Sequence, residues 1–343
     1  YLFLNMHSRL REVLFTNTKI DEVLIFPSKF FPGVSFGYSN LSIITLERCE
    51  NSEALNNTFR VIQGFKSPSE FELLLEEDNI LPEHLQVFNF TQKEVFSAEQ
   101  CRIILAETKT TSLLSKGSKK LGDVADVVTG FYTGDNLRFI KAANKDVKGA
   151  KNYEVVGQEQ VFSCNSLYGI PNVQEGYVPY IKSASKRRYI RQQDEWFVQW
   201  DKKTIEFYNR NKKSRFQNSA FYFKTGIGIP MVKSSTIRAF LMKDRVFDQS
   251  IVGIFPKDIS KLYYILALMN SDAINNLVHA INPSANNSAN YIKQLPYIEP
   301  SEKKLAQINN IVQEIISLEE VANYDKADEL HNELNGIIDK IYS

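Results

Sequence analysis

The run Leu121-Gly122-Asp123-Val124-Ala125-Asp126-Val127-Val128-Thr129-Gly130-Phe131-Tyr132-Thr133-Gly134-Asp135-Asn136-Leu137-Arg138-Phe139 changes its periodicity three times in nineteen residues. Apolar positions 121, 124, 125, 127 and 128 predict a short helix leading into a strand. Two glycines then punctuate a loop, and Phe139-Ile140 resumes a strand. The turn Ser115-Lys116-Gly117-Ser118 before it marks the start of a new unit. Downstream, strands are expected over 177–181, 197–200, 228–232, 239–242 and 250–255, and helices over 259–269 and 273–280. Residues 301–321 and 324–342 predict two amphipathic helices, the second with Leu330, Leu334, Ile337, Ile338 and Ile341 on one stripe. Upstream, Ser8 is placed to cap a helix over 9–17. Strands are expected over 22–26 and 41–46, separated by a loop that Pro27 and Pro32 stiffen. The fold class is mixed α/β (α+β), with no repeat of fixed period.

Composition bounds the function. A chain of 343 residues, 43% hydrophobic and 24% charged, is neither disordered, collagenous nor a disulfide-stapled scaffold, and its length fits two or three domains. Apolar runs such as Leu262–Met269 fall far short of the ~20 residues of a membrane span, and no signal peptide is legible, so the expectation is a soluble, cytoplasmic protein. Cys49, Cys101 and Cys164 are widely spaced, as are the four histidines, so neither a metal site nor a disulfide framework is expected. The chain opens Tyr1-Leu2-Phe3-Leu4 without an initiator Met, and is expected to enter in mid-domain.

A net charge of +1 conceals a division. Residues 47–107 carry five Lys/Arg against twelve Asp/Glu, and residues 182–245 carry sixteen against five. The basic stretch holds two clusters, Lys186-Arg187-Arg188 with Arg191, and Arg210-Asn211-Lys212-Lys213 with Arg215. Tyr180, Tyr189, Trp196, Trp200, Tyr208 and Phe216 are interleaved with them. Such density is the electrostatic footprint of a polyanion-binding surface. A merely solvated face stays open as the alternative. No P-loop, nucleophile elbow or dinucleotide fingerprint occurs, and Gly226-Ile227-Gly228 is a lone glycine pair.

Residues 121–298 resemble the target-recognition (specificity) domain of gamma-class N6-adenine DNA methyltransferases of the TaqI-like kind, found in type II restriction-modification and phage-exclusion enzymes. The likeness rests on the run quoted above, on Val246-Phe247-Asp248-Gln249-Ser250 with Gly253-Ile254-Phe255-Pro256, and on Met269-Asn270-Ser271, Asn282-Pro283-Ser284 and Tyr291-Ile292-Lys293-Gln294-Leu295-Pro296 in that order. Residues 1–48 are similar to the last part of the catalytic domain of the same enzymes, the tail of a Rossmann-like methyltransferase domain. The expected organisation is a catalytic tail over 1–48, a connector over 49–115, a recognition domain over 116–298 and a helical segment over 299–343.

The resemblance implies a role in recognising duplex DNA. It places Phe31, with Phe30 the near alternative, where the family stacks an aromatic on the adenine flipped from the helix; an ordinary core aromatic stays open as the other reading. Phosphate candidates are Lys186, Arg187, Arg188, Arg191, Lys212, Lys213 and Arg215, joined by Lys233 and Arg238, which flank the hairpin-like 234–236. Asn136 in the Gly-punctuated loop and the amides of Gln192 or Gln193 are the candidates for base contacts, and Thr133 of the same loop is a further DNA-binding candidate. The family's S-adenosylmethionine loop and its N/D-P-P-Y motif do not occur, so the cofactor is expected to bind a missing N-terminal part and this chain alone to be inactive. A non-catalytic DNA specificity subunit like that of type I restriction systems is the alternative, with the terminal helices docking within the chain or onto another subunit.

Overall fold

A computed structural model describes residues 7–27, 30–31, 33, 41–76, 81–105, 119–232, 236–282 and 286–342. The first elements are α1 (Ser8–Asn17), β1 (Thr18–Phe26), β2 (Leu41–Arg48), α2 (Asn51–Asn56), β3 (Thr58–Gln63), α3 (Pro68–Glu76), β4 (Gln86–Thr91) and α4 (Gln92–Ser97). Next come α5 (Leu121–Val124), β5 (Ala125–Thr129), α6 (Asn136–Phe139), β6 (Ile140–Ala142), β7 (Tyr177–Ile181), β8 (Trp196–Gln199) and α7 (Lys202–Arg210). They are followed by β9 (Gly226–Pro230), β10 (Phe240–Met242), β11 (Val246–Phe247) and β12 (Ile251–Pro256). The last are α8 (Leu262–Asn270), α9 (Asp272–Ile281), α10 (Ala289–Ile292), α11 (Glu302–Glu320) and α12 (Tyr324–Tyr342). The class is mixed α/β, as the periodicities predict. Two compact units result, one of Tyr1–Ser118 with His279–Ala285, the other of Lys119–Val278 with Asn286–Ser343. None of the described helices is long and apolar enough to cross a membrane.

In the first unit β1 organises the sheet β2-β1-β3-β4, pairing antiparallel with β2 and parallel with β3, while β4 runs antiparallel to β3. Both faces of β1 are apolar, as a strand covered on both sides requires. Val23 and Ile25 pack with Phe15, Phe59 and Val61; Leu24 and Phe26 pack with Ile62, Phe65 and Leu85. A register shift between Ile20 and Glu22 turns Ile20 onto the same face as Val23. Gln92, wholly buried, accepts from the Ile20 N–H (2.8 Å) and donates to the carbonyls of Phe15 (3.1 Å) and Thr18 (2.9 Å). That leaves no end of its amide unpaired and fixes α4 to the α1–β1 junction. Ser8 begins α1 but is not its cap; His7 holds that position, with no side-chain cap bond. Within the stretch expected as a connector, β3 and β4 supply half the sheet, and α2 and α4 pack on α1.

The second unit contains the sheets β10-β9-β12-β5 and β11-β7-β8-β6. In the first, β12 runs antiparallel to both β9 and β5; in the second, β8 runs antiparallel to both β7 and β6. The two ends of the 121–298 stretch clasp each other, because Leu121 N donates to Leu295 O (2.8 Å) and Gly122 N to Lys293 O (3.0 Å). Nearly all of α8 is buried. The Asn270 amide at its end accepts from the Ala239 N–H (2.9 Å) and donates to the Ala239 carbonyl (3.1 Å), anchoring the chain as it enters β10. Helices α11 and α12 form a hairpin that packs on α8, with Leu334, Ile337 and Ile338 buried in it.

Candidate nucleic-acid interface

Phe131 sets the shape of the loop between β5 and α6. Its wholly buried ring meets Tyr208 at 5.2 Å, Phe216 at 5.3 Å, Tyr180 and Tyr222 at 5.7 Å and Trp200 at 6.0 Å, edge-on or tilted. These are the favourable geometries for aromatic quadrupoles. The residue before it must be glycine, since a Cβ on Gly130 would lie 1.9 Å from the Phe247 carbonyl oxygen. Gly134 turns at φ +88°, a conformation that favours glycine, with the Ser214 backbone close by. The loop is then stapled to residues 214–218. Tyr132 and Arg215 exchange backbone bonds (3.3 and 2.9 Å), and Ser214 Oγ donates to Tyr132 O (3.2 Å). Gln217 Nε2 donates to Gly130 O (3.0 Å) and Asn218 Nδ2 to Thr129 O (2.9 Å). Two loops some eighty residues apart in sequence thereby become one rim.

The rim is cationic on its open side. Asp201 caps α7 through the Thr204 N–H (3.0 Å), and Thr204, Ile205 and Tyr208 turn inward. Lys202, Lys203 and Arg210 are exposed, as are Lys212, Lys213 and Arg215 in the following loop. Residues 202–215 hold these six cations against a single acid, Glu206, and among the described residues no ion pair neutralises any of the six. Asn136, half-buried at the start of α6, accepts from Thr133 Oγ1 (2.8 Å). Thr133 itself is wholly buried and holds the turn, so its side chain is not presented to a ligand.

The other basic cluster has a different fate. The Arg187 guanidinium lies on Glu319 (Nη2 to Oε1 2.6 Å, Nε to Oε1 2.9 Å) and on Asp328 (2.8 Å), over the Tyr324 ring at 4.6 Å. These carboxylates hold its pKa above the usual arginine value, the Glu319 hydrogen bond most strongly. Arg191, whose pKa is lowered by burial, donates to Ser183 O (2.6 Å) and lies 3.5 Å from Glu195. Neither arginine, expected on phosphates, faces outward with open donors. Arg188 is half-buried. Lys186 is 80% exposed and 4.0 Å from Glu195, and its carbonyl accepts from exposed Arg238 (3.2 Å). Lys233 lies outside the described residues. Gln192 donates to the Tyr324 hydroxyl (2.7 Å) and, with Gln193, lines a cleft of about 480 Å³ against Ile316, Glu319 and Glu320 of α11.

The interleaved aromatics are not a stacking platform: Tyr180, Tyr189, Trp196, Trp200 and Tyr208 are all buried, and Phe216 is half-buried among them. The pair Gly226 and Gly228 lies inside β9, not in a phosphate-binding loop. Phe30 belongs to the core with Phe26 and Phe65, whereas Phe31 is half-buried and edge-on to Phe26 (5.5 Å) and Phe30 (5.1 Å). Sequence reasoning gave no role to Tyr132, Gln217 or Gln249, whose contacts shape the rim; no local pattern marks a side chain that serves a distant loop. Among the described residues no group of His, Cys, Asp or Glu is arranged to hold a metal.

No protein-family model matches this chain, and no curated sequence relative was found. Solved structures do align with it. The type IIG restriction endonuclease BpuSI aligns over 98% of this chain and 46% of its own, at 12% identity and a TM-score of 0.34. The type IIL restriction-modification enzyme MmeI, solved in complex with DNA, aligns over 95% and 43%, at 13% identity and a TM-score of 0.49. The chain spans less than half the length of either.

Proposed function

We propose that this chain recognises DNA sequence on behalf of an N6-adenine methyltransferase of a restriction-modification or phage-defence system, acting in the cytoplasm. The observation that carries the proposal is the run of exposed cations Lys202, Lys203, Arg210, Lys212, Lys213 and Arg215, none in an ion pair among the described residues, with Arg215 tied by backbone bonds to the 129–136 loop. Lysines on exposed stems suit phosphates, which set register and give salt-dependent affinity; groups on rigid backbone suit base edges. Asn136 sits on that same loop. The ordered motifs of residues 121–298 and their likeness to recognition domains support the reading independently of charge.

In this reading Phe31 stacks on the flipped adenine, returning about 1–3 kcal/mol against an extrusion cost of a few kcal/mol. S-adenosylmethionine and the methyl transfer belong to a part of the parent enzyme outside these 343 residues, because neither cofactor nor catalytic motif occurs among them. No described side chain is assigned to hold the cofactor.

The test is selection from a pool of randomised duplexes at two salt concentrations, with the bound fraction sequenced. An enriched motif of a few base pairs, bound more weakly at the higher salt, is the expected outcome. No binding even at low salt would overturn the proposal.

A further inference from the structure

We propose that Arg215 reads a guanine in the major groove, instead of contacting a phosphate as the lysines beside it do. The assignment rests on the DNA-recognition reading and names one of its specificity-determining residues. Three restraints distinguish Arg215 from the other exposed cations of the rim. Its backbone is tied in both directions to Tyr132, at 2.9 and 3.3 Å. Its guanidinium lies 5.9 Å from the centre of the Tyr132 ring. Its Nη2 donates to Gln249 Oε1 at 2.6 Å.

The Gln249 main chain is fixed in turn, because its backbone N–H donates to the Phe131 carbonyl (3.1 Å). Both partners of the guanidinium are therefore tied to the 131–132 backbone, Tyr132 directly and Gln249 through Phe131, the ring anchored among five other aromatics. An exposed arginine held in this way is pre-organised before any ligand arrives. Only one of its five N–H donors is taken by Gln249, so the fork remains available.

Guanine offers two adjacent acceptors, O6 and N7, in the major groove, and a planar guanidinium satisfies both at once. Adenine places its N6 donor where guanine has O6, so the same fork meets a donor there and loses a bond. A phosphate also accepts the arginine fork, but it can be met by a point charge in any orientation, which a lysine on a flexible stem supplies without being held in place. Lys212 and Lys213 fit that second description: both are exposed, and no side-chain restraint is seen on either among the described residues.

The experiment repeats the randomised-duplex selection on the whole chain as wild type, Arg215→Lys, Arg215→Ala and Gln249→Ala. The wild type is expected to enrich a motif containing a G·C pair. Arg215→Lys keeps the charge and loses the fork, so preference at one guanine should fall about 10- to 100-fold while the other positions and the salt dependence hold. Gln249→Ala should weaken the same position by a smaller factor. A motif unchanged at every position in Arg215→Lys would overturn this assignment alone. So would a uniform loss in Arg215→Ala with the salt slope lower by about one, the mark of a phosphate contact. No enriched motif in the wild type would overturn sequence reading by this chain altogether, and this assignment with it.

Discussion

Two basic clusters lie some twenty residues apart in this chain and have nearly the same composition, yet only one of them is an open cationic surface. Residues 182–191 hold five cations and no acid, and residues 202–215 hold six cations and one acid. The first cluster meets carboxylates: Asp328 and the almost fully buried Glu319, brought from the terminal helices, on Arg187, and the nearby Glu195 on Arg191. Glu319 could not be buried as a carboxylate without such a partner. Among the described residues the second cluster meets none. A charge run therefore says where cations are, while partners from distant segments decide whether they are structural or available.

The largest effect expected from this contrast is on stability. Arg187→Ala removes the counter-charge from Glu319, a loss that costs about 3 kcal/mol when one member of a buried pair is deleted. For a unit of this size the thermal midpoint should fall by about 6–12 °C. The salt slope of DNA binding should not move. A slope that dropped with an intact midpoint would return Arg187 to the DNA face.

A smaller effect sits behind the same cluster. Tyr189, at φ +68°, places its hydroxyl 2.8 Å from His331 Nδ1 of α12. Burial, helped by Arg188 and Arg187 and opposed by Asp272 and Asp328, pulls the His331 pKa down to about 4. Between pH 4 and about 6.5 the unfolded chain takes a proton there that the folded chain refuses. The native state thus keeps its full advantage above pH 6.5 and loses about 2.5 kcal/mol of it by pH 4.5. Urea midpoints at pH 7 and pH 4.5, compared with those of His331→Gln, isolate this residue from the carboxylates that titrate in the same range. Equal pH dependence in both proteins would remove His331 as the cause.

Much of the second unit was legible because its signals are local. The strands over 177–181 and 251–256 and the helices over 262–270, 302–320 and 324–342 fall within a residue or three of their expected bounds, since period and turn chemistry mark them. The strands within residues 49–115 were less legible for a physical reason. The inward positions of β3 and β4, Phe59 and Val61 with Phe88 and Phe90, alternate as a strand should, but the acidic excess around them has the composition of solvated surface. The aromatic interleaving misled in the opposite direction. On α7, Ile205 and Tyr208 face the core while Lys202, Lys203 and Arg210 face out, so a cationic amphipathic helix mimics a stacking surface in linear sequence. The Arg187–Glu319 pair spans 132 residues, and no local pattern could announce it.

The smallest expected change in stability belongs to the open cluster, and there the contrast is sharpest. Replacing Lys212 and Lys213 together with Ala removes two exposed charges that no carboxylate holds among the described residues, so unfolding should stay within about 0.5 kcal/mol of wild type. If both contact phosphates, the salt slope should fall by about two, and affinity should weaken alike for every duplex sequence. Arg187→Ala should show the reverse, a lower midpoint with an unchanged slope. A double lysine variant that destabilised the unit while sparing the slope would erase the distinction, because the 202–215 stretch would then be structural in the way that 182–191 is.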